Sequence, residues 1–166
     1  MKCKDIIALL EQNAPLHLQE EYDNSGLQWG NPENNVNKIL VCLDFSQDAM
    51  DAAICENAQL VISHHPIMFR PMKTINTGTG RGAMLAECIR NNITVYSSHT
   101  NFDITNEGMN EFLAKSLGLI DIKGLKTYFT EALYKLVVFV PKDSLETVRD
   151  AIYNAGAGWI GNYKDC

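Results

Sequence analysis

The chain has 166 residues, of which 46% are hydrophobic and 20% charged, a composition typical of ordinary globular proteins. Fourteen Lys and Arg against twenty Asp and Glu give a formal net charge of -6, and the basic residues are scattered, which argues against nucleic acid as the main ligand. No apolar run approaches the roughly 20 residues of a membrane span, so we expect a cytoplasmic protein without membrane association. Five cysteines without a C-x-x-C pair indicate neither a disulfide framework nor a zinc ribbon.

Helix and strand patterns alternate along the first part of the chain. A short helix is predicted over residues 4–13, followed by a polar loop over residues 20–35. Apolar runs then alternate with helical patterns: strands over 39–44, 60–64 and 93–99, and helices over 47–57, 82–91 and 108–117. Strands that are apolar on both faces and joined by helices are typical of a parallel sheet. We therefore predict an α/β fold with a largely parallel sheet flanked by helices.

The pattern changes near residue 127. Residues 133–141 are typical of a strand, and Asp143 or Ser144 can cap a helix that runs to Asn154. One strand and one helix cannot bury a core alone. We therefore predict one domain over 1–127 and a second unit over 128–166, which packs on the first domain, pairs with another chain or is truncated.

Side chains that can bind metal follow each of the three predicted parallel strands. Asp44 ends the first strand, His64 and His65 end the second, and His99 with Asp103 follows the third. Ligands of open α/β sheets bind in the crevice at the carboxyl ends of the strands. We therefore expect these side chains to converge on one site.

The adjacent histidines raise the question of how many ions such a site would hold. Successive strand side chains point to opposite faces, so His64 and His65 bind one ion poorly unless the backbone turns, and they can serve two ions instead. Asp103 is the candidate bridging carboxylate, and His99 is either a further ligand or an acid/base. Imidazole with carboxylate favours zinc, manganese, iron or nickel, and two such ions activate a bridging water. The simpler alternative is a strand-end turn with partly exposed histidines.

Three other features have alternative interpretations. Asp44 is interpreted as a cap of the following helix in preference to a ligand. Residues 77–82, Thr-Gly-Thr-Gly-Arg-Gly, precede a predicted helix and can hold a phosphate or carboxylate together with Arg81, or form a flexible loop. The segment from Tyr22 to Gly26 is a good turn sequence to which the residues alone assign no function.

Three motifs, E-E-Y-D-N-S-G-L, L-V-I-S-H-H-P and S-S-H-T-N-F-D, resemble the Nif-three-like family of GTP cyclohydrolase type I, subtype two homologues. The resemblance covers roughly residues 1–125. It implies an α/β domain with two divalent metal ions, in which His64, His65 and Asp103 are ligands and His99 lines the site. It also implies self-association into a toroidal homohexamer.

The segment that begins at Tyr134 resembles the start of an inserted ferredoxin-like, PII-like domain, and it breaks off at Cys166. Members of the family later contribute an H-x-x-x-E motif, and no His follows His99 in this chain, so the resemblance implies an incomplete ligand set. The expected function is metal-dependent hydrolysis of a nucleotide-like small molecule or ester, including GTP cyclohydrolase-type ring opening, with His99 as the catalytic residue. The alternative is a non-catalytic metal-binding oligomeric scaffold or regulator.

Overall fold

The computed structural model describes residues 1–124 and 135–158. The chain divides into two compact units, Met1–Leu125 and Lys126–Cys166, which are described separately below. Within the described ranges no helix is both long enough and apolar enough to span a bilayer. The ferredoxin-like character of the second unit and the boundary at residue 127 stay predictions.

A four-stranded sheet forms the centre of the first unit. Its strands are β1 (Gly26–Trp29), β2 (Ile39–Cys42), β3 (Leu60–Ser63) and β4 (Thr94–Ser97), in the order β1-β4-β3-β2. Strands β2, β3 and β4 are parallel, whereas β1 pairs antiparallel with β4. The predicted α/β fold with a largely parallel sheet is confirmed, and the sheet is mixed because of β1.

Helices flank both faces of this sheet. They are α1 (Cys3–Asn13), α2 (Gln47–Cys55), α3 (Gly80–Arg90), α4 (Thr100–Ile104) and α5 (Met109–Ser116). Residues from α2 and α3 share one buried core with the sheet: Trp29, Phe45, Met50, Ala53, Val61, Cys88 and Val95. A smaller core joins α1 to the other face: Cys3, Ile6, Val36, Leu60 and Tyr96. These two cores make unit 1 a layered α/β structure whose parallel strands all end at the same edge.

Strand β1 was missed, since it lies in the segment predicted to be a polar loop. Its residue Gln28 is only 4% exposed, and the side-chain amide donates to the backbone oxygens of Asn24 and Gly26. A buried polar side chain that is satisfied by local backbone looks like a loop residue in the sequence. The alternating apolar pattern that identifies strands is therefore absent here.

The prediction that all three parallel strands are apolar on two buried faces is wrong for β2. Val41 is 75% exposed and Ile39 is 40% exposed, whereas Val61 of the central strand β3 is fully buried. The reason is that β2 is an edge strand, and α1 packs on Leu60 and Tyr96 of the inner strands. An apolar run in a sequence does not distinguish an edge strand from a central one.

At helix starts, one prediction is wrong and one helix was missed. Asp44 does not cap α2, because Ser46 occupies the N-cap position and its Oγ accepts a hydrogen bond from the Ala49 amide at 3.3 Å. The short helix α4 was not predicted, although it begins directly after His99 and contains Asp103. Both differences lie at the edge of the sheet where the predicted site residues are found.

In the second unit, α6 (Leu145–Asn154) confirms the predicted helix, and a single 3-10 turn, Lys142–Ser144, precedes it. The strand predicted over 133–141 is not formed at its described residues, 135–141. A strand needs a pairing partner for its backbone groups, and an apolar pattern alone does not supply one. Residues 133 and 134, and the segment from 159 to 166, lie outside the described residues.

Candidate metal centre

Three histidines meet at the carboxyl edge of the parallel strands. His64 and His65 follow directly after β3, and His99 lies two residues beyond the end of β4. One ligating nitrogen from each ring lies within 4.8 Å of the other two. The ring centroids are 5.0 Å apart for His64 and His65, 5.1 Å for His64 and His99, and 5.6 Å for His65 and His99. The predicted convergence of strand-end side chains therefore occurs for all three histidines.

The backbone turns at the two adjacent histidines. β3 ends at Ser63, and the chain bends at His64 and His65. The Ser63 hydroxyl donates to the His65 carbonyl oxygen at 3.0 Å, and its Oγ lies 2.8 Å from the buried Ser97 hydroxyl. This bend places both imidazoles in one group, so the opposite-face argument for two separate ions does not apply to these side chains.

Each imidazole has a hydrogen-bond partner at Nδ1. The partner atoms are the Ser98 carbonyl oxygen for His64 at 2.9 Å, Asp44 Oδ1 for His65 at 2.8 Å and Asp23 Oδ1 for His99 at 2.8 Å. A carbonyl or carboxylate oxygen only accepts, so each Nδ1 carries the proton and donates. In the neutral rings the Nε2 lone pair is then free, which is the arrangement that metal-ligating histidines use.

Asp23 is a functional candidate that the sequence did not reveal. Its side chain is fully buried and accepts hydrogen bonds from the Ser25 hydroxyl at 2.7 Å, the Thr100 amide at 3.1 Å and the Thr100 hydroxyl, in addition to His99. Burial by itself raises the pKa of Asp23, but the hydrogen bonds from Thr100, His99 and Ser25 outweigh it and lower the pKa to about 2. The carboxylate therefore stays charged and holds His99 in place. The signal that could have found it is the E-E-Y-D-N-S-G-L motif.

Asp103 lies beside the histidine group. Helix α4 places its Oδ1 3.8 Å from Nε2 of His64, and the side chain is 30% exposed. That distance is too long for a hydrogen bond, whereas two ligands of one ion are separated by roughly this much when each metal bond is about 2.0 to 2.2 Å. The geometry is compatible with Asp103 as a carboxylate ligand that shares an ion with His64.

Asp44, the glycine-rich residues 77–82 and His17 are not members of the histidine group. Asp44, whose side chain is 64% exposed, orients His65 through Nδ1 and is neither a helix cap nor a member of the histidine group. The glycine-rich residues 77–82 are exposed except for Gly82 and lead into α3, and their anion binding stays a prediction. His17 lies in a 3-10 turn, Leu16–Leu18, and is exposed.

Known proteins are similar to this chain in sequence and in fold. The family described as Duf34/NIF3 (NGG1p interacting factor 3) matches residues 1–165. A relative from Halalkalibacterium halodurans, named GTP cyclohydrolase 1 type 2 homolog, is 43% identical over 161 residues, which are 97% of this chain and 43% of the relative. A Bacillus subtilis protein of the same name is 40% identical over 98% of this chain and 44% of its own length. The chain thus spans less than half the length of these relatives.

Solved structures of related proteins superpose on this chain. The structure of a Bacillus cereus protein related to NIF3 superposes with a TM-score of 0.75 at 41% identity, covering 100% of this chain and 46% of that protein. Reduced HcgD from Methanocaldococcus jannaschii superposes with a TM-score of 0.70 at 36% identity, over 76% of this chain and 50% of that protein. With the family match over nearly its whole length, the chain belongs to the Duf34/NIF3 family.

Proposed function

We propose that the protein binds divalent transition-metal ions through His64, His65 and His99, with Asp103 as a carboxylate ligand, and acts as a metal-dependent hydrolase. The observation that carries the proposal is the shared hydrogen-bond pattern of the three imidazoles, each of which donates from Nδ1 and leaves the Nε2 lone pair free. Imidazole with carboxylate selects zinc, manganese, iron or nickel over calcium and magnesium. An ion held there supplies a Lewis acid that polarises an electrophile and lowers the pKa of a water molecule.

The chain's own residues provide binding, orientation and access. His64 and His99 have side chains that are only 15% and 18% exposed, whereas His65 is 47% exposed. The group is therefore held on its inner side and opens to solvent at His65. We propose that a substrate approaches from that side.

His99 has two candidate roles that its contacts both support. As a ligand, it offers Nε2 to the ion while Asp23 fixes the ring. As an acid/base, it accepts and returns a proton at Nε2, and the charged Asp23 carboxylate stabilises the imidazolium that forms. The variant His99→Ala separates the two roles. If His99 is a ligand, the variant should contain less bound metal, and if His99 is an acid/base, the metal content should be unchanged while turnover falls.

Metal analysis of the purified chain tests the centre. After reconstitution with zinc, manganese, iron or nickel, we expect at least about one tightly bound ion per chain by elemental analysis, and a second if the dinuclear expectation holds. The double variant His64→Ala, His65→Ala should lose the ion. His17→Ala is the matched control, because His17 is the one histidine of the sequence outside the proposed centre, and this variant should retain the metal. Fewer than about one ion per two chains in the wild type contradicts a working centre.

Nucleotides are the first substrates to test. The name of these relatives, GTP cyclohydrolase 1 type 2 homolog, supports GTP as a probe, together with simple phosphoesters. We expect metal-dependent turnover that the double histidine variant abolishes and that His17→Ala retains. Turnover that is unaffected by the double variant would place the activity elsewhere in the preparation.

A second function, a non-catalytic metal-binding oligomeric scaffold, is favoured by exposed apolar side chains in β2 and directly after it. Val41 and Leu43 are 75% and 59% exposed at the sheet edge, and such edges favour association with another chain. This alternative predicts self-association in sedimentation velocity, no turnover with added metal, and unchanged assembly in the double histidine variant. Metal-dependent turnover that the double variant abolishes contradicts it.

A further inference from the structure

Two exposed aromatic rings lie beside the histidine group. Tyr22 is 65% exposed and Phe69 is 38% exposed, and their ring centroids are 6.3 Å apart with an interplanar angle of 61°. Phe69 also meets His99 edge to face, with centroids 6.3 Å apart and an angle of 89°. Aromatic side chains contribute most when their faces are covered, so exposed rings next to a polar site are suited to cover a ligand. We call Tyr22 and Phe69 the aromatic shelf.

Hydrogen bonds hold the shelf in place from both sides. The Asn24 side-chain amide donates to the Met68 carbonyl oxygen at 2.8 Å, and the Met68 amide donates to Gln28 Oε1 at 3.1 Å. Gln28 is buried, so this contact ties the loop before Phe69 to strand β1. Asp23, next to Tyr22, is fixed to His99 and Thr100. The backbone near both rings is therefore ordered before a ligand arrives, which lowers the entropic cost of binding.

The segment that carries Phe69 is positively charged. Between His65 and Glu87 the sequence contains three basic residues, Arg70, Lys73 and Arg81, and no Asp or Glu, in a chain whose net charge is -6. All three are exposed. A local concentration of one sign of charge attracts ligands of the opposite sign. Arg70 follows Phe69 directly, so a basic residue is adjacent in the chain to one ring of the shelf.

We propose that the aromatic shelf stacks the planar heteroaromatic ring of a phosphorylated substrate beside the histidine group, and that Arg70 attracts its phosphate. This inference rests on the proposed function, because it assigns the substrate class of the same site. Stacking of a base on aromatic side chains accepts any base, since every base has a π-face. The shelf therefore selects for a ring and not for one base.

Calorimetric titration with a matched pair of probes tests the shelf. Guanosine monophosphate and ribose 5-phosphate carry the same sugar phosphate and differ in the base. We expect the wild-type 166-residue chain to bind guanosine monophosphate about tenfold more tightly than ribose 5-phosphate. The double variant Tyr22→Leu, Phe69→Leu should lose this preference while its affinity for ribose 5-phosphate is unchanged. Phe112→Leu is the control, since Phe112 is also 65% exposed, and it should keep the preference.

The outcomes separate the shelf from the metal centre. Equal binding of the two probes by the wild type, no binding of guanosine monophosphate at millimolar concentration, or a preference retained in the double variant overturns the shelf. If the double variant does not fold, Tyr22→Leu alone is used, since its side chain is mostly in solvent, and it should reduce the preference at least threefold. The titrations are repeated after chelation. A ring preference that persists after chelation supports the shelf independently of the metal, whereas the metal centre is tested separately by the metal content after reconstitution.

Discussion

His99 and Asp23, which are 76 positions apart in the chain, are joined by a hydrogen bond of 2.8 Å from Nδ1 to Oδ1. This contact connects the segment before β1 to the carboxyl end of β4. It orients the third imidazole of the candidate metal centre from outside the parallel strands. Asp44 makes the same type of contact to His65 at 2.8 Å, but from an exposed position.

The two contacts predict unequal effects of removing each charge. Asp23→Asn should weaken zinc binding about 10- to 100-fold, because the partner that sets the His99 tautomer and orientation is lost in a buried position. Asp44→Asn should weaken it less than about threefold, since an exposed contact to a carboxylate contributes little. Competition with a chromophoric chelator measures both dissociation constants.

The interpretation of that comparison requires a folded variant. Asp23 also accepts hydrogen bonds from Ser25 and Thr100, so we expect Asp23→Asn to lower the free energy of unfolding by about 1 to 3 kcal/mol. Zinc affinity is therefore measured at a temperature where circular dichroism shows the native spectrum. A larger loss of affinity in Asp44→Asn than in Asp23→Asn would contradict the assigned difference.

These contacts explain which part of the site could be predicted. His64, His65 and His99 could be placed together because the carboxyl ends of parallel strands lie at one edge, a rule that needs only the order of elements. Asp23 could not, because a polar turn sequence has a sufficient local explanation, and its long-range contact depends on how the chain before β1 folds back. The bend at His64 and His65 depends likewise on the Ser63 and Ser97 hydroxyls.

The strands of the sheet were likewise only partly predictable from the sequence. The inner strands β3 and β4 are short segments rich in apolar and β-branched residues, buried throughout except for the partly buried Ile62, so their pattern identifies them. β2 has the same pattern although Val41 is exposed, since the sequence does not state which strand lies at the edge. β1 has no such pattern, because buried Gln28 is satisfied by nearby backbone.

The edge position of β2 predicts a large difference between two equivalent-looking valines. Val61→Ala removes fully buried methyl groups and should lower the free energy of unfolding by about 2 kcal/mol. Val41→Ala, at a position 75% exposed, should change it by less than about 0.5 kcal/mol. Urea denaturation of both variants measures the difference. Equal losses would mean that β2 is covered in solution, as the scaffold alternative requires.

Gly30 is predicted to be intolerant of any side chain. Its φ is +113°, and a Cβ there would lie 2.6 Å from the Thr94 Cα, a backbone atom that cannot move aside. Gly30→Ala should therefore cost about 3 kcal/mol or more through backbone strain and overpacking. Gly80 is the matched control, since its φ is +57° and nothing lies within 4 Å of its Cβ position. Gly80→Ala should cost about 1 kcal/mol in thermal denaturation, from the left-handed backbone alone.

Burial of the Cys88 thiol predicts a loss of stability in alkaline solution. Burial raises the pKa of Cys88 from an ordinary value of 9.0 to about 11. Below pH 9 the folded and unfolded chains both keep the thiol proton, so the contribution is fully present. Between pH 9 and 11 the unfolded chain loses that proton while the folded chain retains it, and the free energy of unfolding should fall by up to roughly 2 kcal/mol.

Urea denaturation at intervals from pH 8 to 11 measures that loss as a slope against pH. Cys88→Ala should reduce the slope, although the absolute stability also falls because a buried side chain is shortened. The slope should not vanish, because burial also raises the pKa of Cys3 and of Tyr96. Cys55→Ala removes an exposed thiol and should leave the slope as in the wild type. An equal slope in Cys88→Ala and the wild type would show that the Cys88 thiol reaches solvent in the folded protein.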